Sequence, residues 1–282
     1  MKASLRISLV LLLFFALFLT AGDCSGYKRA LRLSDGKNIA LEQMIEEIKQ
    51  ASFVFVGETH DNERHHQAQL DIIKALEKSG RTVVLGLEMF EAEDQKKLDR
   101  WVSGKLSLGE FLRLYYESWG FPWPLYKEIF LYAKDNSIPV VGLNAPREIV
   151  RKVSSESFSS LTAEELKKLP PGISCDIDET YMEFIRRVHK AHPGSGREFV
   201  NFCEAQMVWD KSMAWHLVRF AEENPGRTVV VLAGITHSWK RGIPEQVRRQ
   251  SELPYAVILP EPPGHIDRNS ISTLDADYIL MD

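Results

Sequence analysis

The 282-residue chain is long enough for one large α/β unit with helical insertions, and its length alone does not require two separate cores. Apolar residues at 44% and charged residues at 26% exclude a disordered chain and a multi-span membrane protein. The formal net charge of −4 becomes −6 once residues 1–22, with Lys2 and Arg6, are taken away, so no nucleic-acid partner and no general attraction to anionic lipid are expected.

Residues 1–22 read as a secretory signal peptide. Lys2 and Arg6 precede an unbroken apolar stretch from Leu9 to Leu19, which ends in the small residues Thr20, Ala21 and Gly22. The stretch is shorter than the roughly 20 residues a membrane-spanning helix needs. The mature protein is therefore expected outside the cytoplasm, as a secreted, periplasmic or outer-membrane-associated chain. Cys24 raises the question of a lipid anchor and peripheral membrane association. Asp23, directly before it, is unfavourable for lipoprotein processing.

The next elements alternate. Phe53–Val56, Thr82–Leu85, Ile138–Val141 and Thr228–Leu232 are continuous apolar runs, the habit of strands buried on both faces of a parallel sheet. Tyr255–Leu259 reads as a fifth strand and Asp277–Leu280 as a terminal one. Amphipathic segments fall between them at 41–50, 63–78, 92–102, 125–134 and 245–250. The fold class that follows is α/β, a mainly parallel sheet flanked by helices, spanning residues 37–282. Two stretches, about 91–134 and 149–223, hold several helices each and read as an inserted helical subdomain or lid. Pro260–Gly264 reads as a rigid loop, and Cys175 and Cys203 are either free or paired.

Ligands of an open parallel sheet collect at the carboxyl ends of its strands. Two G-x-x-H turns, Gly57-Glu58-Thr59-His60 and Gly234-Ile235-Thr236-His237, fall at such ends, each glycine being expected to allow a tight turn and close backbone approach. Glu88 closes a third strand, and Asn144 and Arg147 follow a fourth. His65 and Gln69 share a helix face whose start Asp61 or Asn62 can cap. Gln206 and Asp210 interrupt the apolar stripe of Phe202, Trp209, Met213 and Leu217. Glu58, His60, Glu88 and His237 are thus the candidate catalytic or metal-binding residues; His65, Asn144, Arg147, Gln206 and Asp210 are candidate ligand contacts. Two imidazoles and two carboxylates suit a divalent transition metal or metal-free acid–base work equally.

The same residues resemble the ChaN family of haem-binding proteins, which is related to Tiki and TraB proteins and more distantly to erythromycin esterases. The resemblance runs from about Phe53 to Pro244. It is carried by Phe55-Val56-Gly57-Glu58-Thr59-His60-Asp61-Asn62, His65-His66, Gln69, Gly86-Leu87-Glu88-Met89-Phe90, Leu143-Asn144-Ala145-Pro146-Arg147, Ala205-Gln206, Trp209-Asp210 and Met213-Ala214. Ala233-Gly234-Ile235-Thr236-His237 with Gly242-Ile243-Pro244 completes it. It implies haem or iron as cofactor, a role in iron acquisition, and haem held between two protomers of a ligand-induced homodimer. It also implies a tyrosine as haem ligand, with Tyr115, Tyr116, Tyr126 and Tyr181 as candidates. The weak lipoprotein signal is the departure from the family pattern. A hydrolase using the G-x-x-H cluster, with or without a metal, is the competing reading of the residues themselves.

Overall fold

A computed structural model describes residues 26–188, 196–261 and 271–281. The signal segment, Cys24 and most of the Pro260–Gly264 loop lie outside the described residues.

The chain forms one eight-stranded sheet in the order β2-β1-β8-β7-β3-β6-β4-β5. Six strands run parallel: β3 (Phe53–Glu58), β4 (Val83–Glu91), β5 (Val140–Asn144), β6 (Thr228–Gly234), β7 (Tyr255–Pro260) and β8 (Tyr278–Met281). The two remaining strands, β1 (Arg29–Arg32) and β2 (Lys37–Ala40), form a hairpin that pairs antiparallel with β8. The expected strands are all present. Glu88, expected at the end of its strand, lies within β4, which continues to Glu91 past an irregularity in its pairing with β5.

Continuous apolar runs follow from burial on both faces. Val54, Val56, Leu85, Leu87, Val230 and Leu232 point into one hydrophobic cluster. Their neighbours Phe53, Phe55, Val84, Val229 and Val231 point into another. The first cluster is covered by α1 (Leu41–Ile48), α2 (Glu63–Lys78), α3 (Gln95–Val102), α4 (Leu108–Ser118) and α5 (Trp123–Asp135). The 91–134 insertion is therefore a layer on the sheet, with Trp101, Phe111, Tyr115 and Tyr126 as its buried aromatics.

The 149–223 stretch covers the opposite face. It continues α6 (Arg147–Glu156) and holds α7 (Ala163–Leu166), α8 (Glu179–Val188) and α9 (Arg197–Glu223). Met213, Ala214 and Leu217 of α9 join Phe53 and Phe55 in the second cluster, with Ile243 and Val247 of α11 (Ile243–Arg248) beside them. Asn62 is the residue that caps α2, accepting from the backbone N–H groups of Arg64 and His65. Cys175 and Cys203 are free thiols. Among the described residues no helix is long and apolar enough to cross a membrane.

Candidate functional site

The central strands β3 and β6 are neighbours, and Glu58 pairs in register with Gly234. The two G-x-x-H segments therefore stand side by side at one sheet edge. His60 leaves β3 on a loop, whereas His237 sits in the single helical turn α10 (Ile235–Ser238). Neither glycine has positive φ, so of the two roles expected of them the structure shows close approach and not a turn that requires glycine. A Cβ on Gly234 would lie 2.9 Å from His60 Cε1 and 3.1 Å from its Nε2. A Cβ on Gly57 would lie 2.8 Å from Leu259 Cδ2 and 3.3 Å from the Cα of Ile235. The glycine of the second segment thus makes room for the histidine of the first.

Two histidine–carboxylate pairs result. In the first, His60 Nδ1 lies 2.8 Å from Glu58 Oε1, which also accepts from the Tyr126 hydroxyl. His66 Nε2 approaches Glu58 Oε2 to 3.2 Å, within ion-pair range but off the direction a hydrogen bond needs. Burial opposes ionisation of Glu58, but the imidazoles of His60 and His66 outweigh it and hold its carboxyl well below the usual range. Burial likewise opposes the charged form of His60, and Glu58 and Glu88 more than offset it, raising its pKa.

In the second pair, His237 Nδ1 lies 2.7 Å from Asp210 Oδ1, and the Tyr181 hydroxyl donates to Asp210 Oδ2 at 3.0 Å. Glu88 faces His237 from the other side, its Oε1 3.7 Å from Nε2, while its Oε2 accepts from the Gly234 N–H at 2.6 Å. Burial disfavours the imidazolium, yet the charges of Glu88 and Asp210 dominate and push His237 up to about 9. Burial raises the pKa of Asp210, with His237 acting against it.

A cavity of about 470 Å³ opens over this edge. Glu58, His60, Glu88 and His237 line its floor, and Met89, Trp119, Phe121, Trp209 and Ile235 its apolar walls. The His60 ring is wedged against Trp119 and Phe121, 4.9 Å from each, and the His237 ring lies 5.6 Å from Trp209.

The four expected catalytic residues are therefore brought together. The expected metal set is not formed: among the described residues no three His, Cys, Asp or Glu side chains are disposed to hold a metal ion. The reason is local. Both oxygens of Glu58 and of Asp210, and one of Glu88, already face protein groups.

Of the expected ligand contacts, Asn144, Arg147 and Gln206 line the cavity. Asn144 donates to the Glu88 carbonyl at 2.7 Å and so supports the strand that carries Glu88. Arg147 donates to the carbonyls of Glu117 and Ser118, closing the end of α4. Gln206 is 3% exposed, and its Oε1 has no hydrogen-bond partner.

Asp210 lies behind His237 and orients it. His65 is structural, its Nδ1 accepting from the Thr59 N–H at 2.9 Å, and burial lowers its pKa to about 4. His66, Tyr126 and Tyr181 complete the carboxylate pairs without being expected to. The signals in the sequence for His66 were its place next to His65 at the start of α2 and its part in the resemblance to the ChaN family.

The sequence profile of the family described as haem-binding uptake, Tiki superfamily, ChaN matches residues 44–247. The chain belongs to the ChaN family. Among solved structures, ChaN of Campylobacter jejuni, described with cofacial heme binding, is 22% identical with a TM-score of 0.70, over 89% of this chain and 95% of that one. The type III effector HopBA1 is 14% identical with a TM-score of 0.51, over 84% and 90% of the two chains. The erythromycin esterase mutant EreC H289N is 16% identical with a TM-score of 0.46, over 78% and 71%. No curated protein matches the sequence. The likenesses to ChaN and HopBA1 place the fold, and the profile places the family.

Proposed function

We propose that this ChaN-family chain is an exported haem-binding protein that serves iron acquisition, with haem seated at the α4–α5 turn and Tyr116 as its iron ligand. Tyr116 carries this reading. Of the four tyrosines weighed from sequence, Tyr115, Tyr126 and Tyr181 are buried and donate their hydroxyls to Phe121 O, Glu58 and Asp210. Tyr116 is 56% exposed, and its oxygen accepts only a 3.3 Å bond from the Trp123 N–H.

The surroundings suit a porphyrin. Trp119, Phe121 and Trp123 are partly buried on the same turn and offer ring faces for stacking. Arg113, exposed and three residues before Tyr116 on α4, supplies a cation for a propionate. A phenolate is an accepted axial ligand of haem iron. An exposed ligand leaves one haem face uncovered, which supports a homodimer closed by a second haem-bearing protomer.

Titration with ferric haem tests the reading. A saturable Soret shift is expected, weakened and spectrally altered in Tyr116→Phe, with dimer formation on haem addition seen by sedimentation. Absence of a saturable shift refutes it. Export predicts loss of residues 1–22 by mass spectrometry and recovery in an extracytoplasmic fraction. Membrane recovery abolished by Cys24→Ser would add the lipid anchor.

A further inference from the structure

We propose that the groove between α9 and α11 is a second binding site, one for a neutral oligosaccharide. Both helices cover the sheet face opposite α4 and α5, and the inference does not rest on the haem reading.

The groove follows from the lengths of its two helices. α9 runs for 27 residues and α11 for 6, so α11 covers only part of one flank of α9. Three cavities of about 370, 340 and 360 Å³ lie end to end along that flank. The first and second share Asp176, Gln246 and Arg249, and the second and third share Trp215 and Gln250. Met207, Lys211, Trp215, Arg219 and Glu222, spaced three or four apart on one face of α9, line them in turn. At about 1.5 Å per residue that stripe is about 22 Å long, which suits a linear ligand of several units.

Charge selects a neutral one. Among the described residues the lining carries five cations and five carboxylates. Most are already paired: Asp176 with Lys211 at 2.7 Å, Glu245 with Arg249 at 3.0 Å, Arg219 with Glu223 at 3.0 Å and Lys240 with Asp277 at 2.6 Å. A polyanion or polycation therefore meets as much repulsion as attraction.

Uncharged groups are left to bind. Gln246 is 3% exposed, and its side-chain amide has no hydrogen-bond partner among the described residues where the first two cavities meet. An amide both donates and accepts, and buried polar groups find partners, so Gln246 points to a ligand that does both, as a hydroxyl does. Trp215, between the second and third cavities, and Tyr255, beside the first, are half-buried and offer ring faces. A pyranose fits both features, with hydroxyls around its edge and C–H groups on its flat face.

A peptide fits less well. Extended peptides pair with an open strand edge, and helical ones lie in an apolar trough. β7, which brings Tyr255, is paired on both sides, and charged or amide side chains stand along the whole groove.

Isothermal titration calorimetry of the full mature chain tests the proposal. Cellotetraose, N-acetylated chitotetraose and maltotetraose serve as neutral probes, each beside its disaccharide, with tetragalacturonate as the charged probe and tetra-alanine as the peptide. Expected is saturable binding of at least one neutral tetrasaccharide, about tenfold tighter than its disaccharide and than the charged and peptide probes. Trp215→Ala should weaken it about tenfold through the lost ring face, and Gln246→Met about tenfold through the lost amide.

Circular dichroism matching wild type shows that each variant is folded. The Soret titration is scored separately and is expected to be unchanged in both variants, so failure of the haem reading and failure of this one are distinguishable. Binding of no neutral tetrasaccharide, unchanged affinity in both folded variants, or tighter binding of tetragalacturonate or tetra-alanine would overturn the proposal.

Discussion

Asp210→Asn isolates the electrostatics of the second histidine. In the folded chain His237 keeps its proton up to about pH 9, against 6.5 for an ordinary histidine. A group whose folded pKa is raised stabilises the fold fully below its unfolded pKa, and that contribution is lost as pH rises through the folded value. Between pH 6.5 and 9 the folded state carries the extra proton, so stability should fall by at most about 1.4 kcal/mol per pH unit, roughly 3 kcal/mol in all.

Asparagine keeps the shape and can still accept from Tyr181, but it removes one of the two charges facing His237. Burial then pulls the imidazole back toward its ordinary range, and the slope should largely vanish. Urea unfolding at several pH values from 6 to 9.5 measures the slope, and the NMR shift of the His237 ring proton locates the titrating group. Equal slopes in wild type and Asp210→Asn would refute the reasoning, because the extra proton would then reside elsewhere.

Other perturbations report on neighbouring parts. Gly234→Ala has backbone angles that alanine tolerates, φ −54 and ψ 148, so its effect falls on the His60 ring 2.9 Å from the new methyl. With Trp119 and Phe121 limiting the ring's escape, a loss of about 1–3 kcal/mol in thermal unfolding is expected, together with a lower His60 pKa. His65→Ala strands the Thr59 N–H and should cost about 1–3 kcal/mol. Because the folded His65 pKa is depressed to about 4, its contribution is full above pH 6.5 and lost as pH falls toward 4, so the variant should also flatten the acid limb of the stability curve. Arg147→Ala frees the carbonyls of Glu117 and Ser118, and hydrogen exchange should quicken across the α4–α5 turn.

The sequence made the parallel strands legible because burial on both faces leaves an unbroken apolar run, as in Thr228–Leu232. It hid β1 and β2, four residues each, in which only Ala30 and Ile39 are buried and no apolar run forms. The Ser34-Asp35-Gly36 turn was the available signal for that hairpin, with Gly36 at φ 70. Glu58, His60, Glu88 and His237 were readable because strand ends announce themselves. Asp210 and Tyr181 were not assignable to His237, since α8 and α9 reach it only through packing on the far face of the sheet. Gly57 and Gly234 were read for turns and for close approach, and the need for them lies in the second, in the contacts they make with Leu259, Ile235 and His60.

The α4–α5 turn joins the proposed haem seat to the cavity at the strand ends. Tyr126 donates to Glu58 at the cavity floor, Tyr115 donates to Phe121 O, and Arg147 fastens the end of α4. Trp119 and Phe121, which would stack on haem beside Tyr116, are also the rings that wedge His60. Haem on the outer side of that turn would therefore press on the same aromatics that hold His60, and a ligand in the cavity would press on them from within. Coupling of this kind is reciprocal by thermodynamic necessity. Haem binding is therefore expected to shift the His60 ring resonances, and any cavity ligand whose affinity haem changes must change haem affinity by the same factor; unchanged His60 resonances on haem addition would refute the coupling.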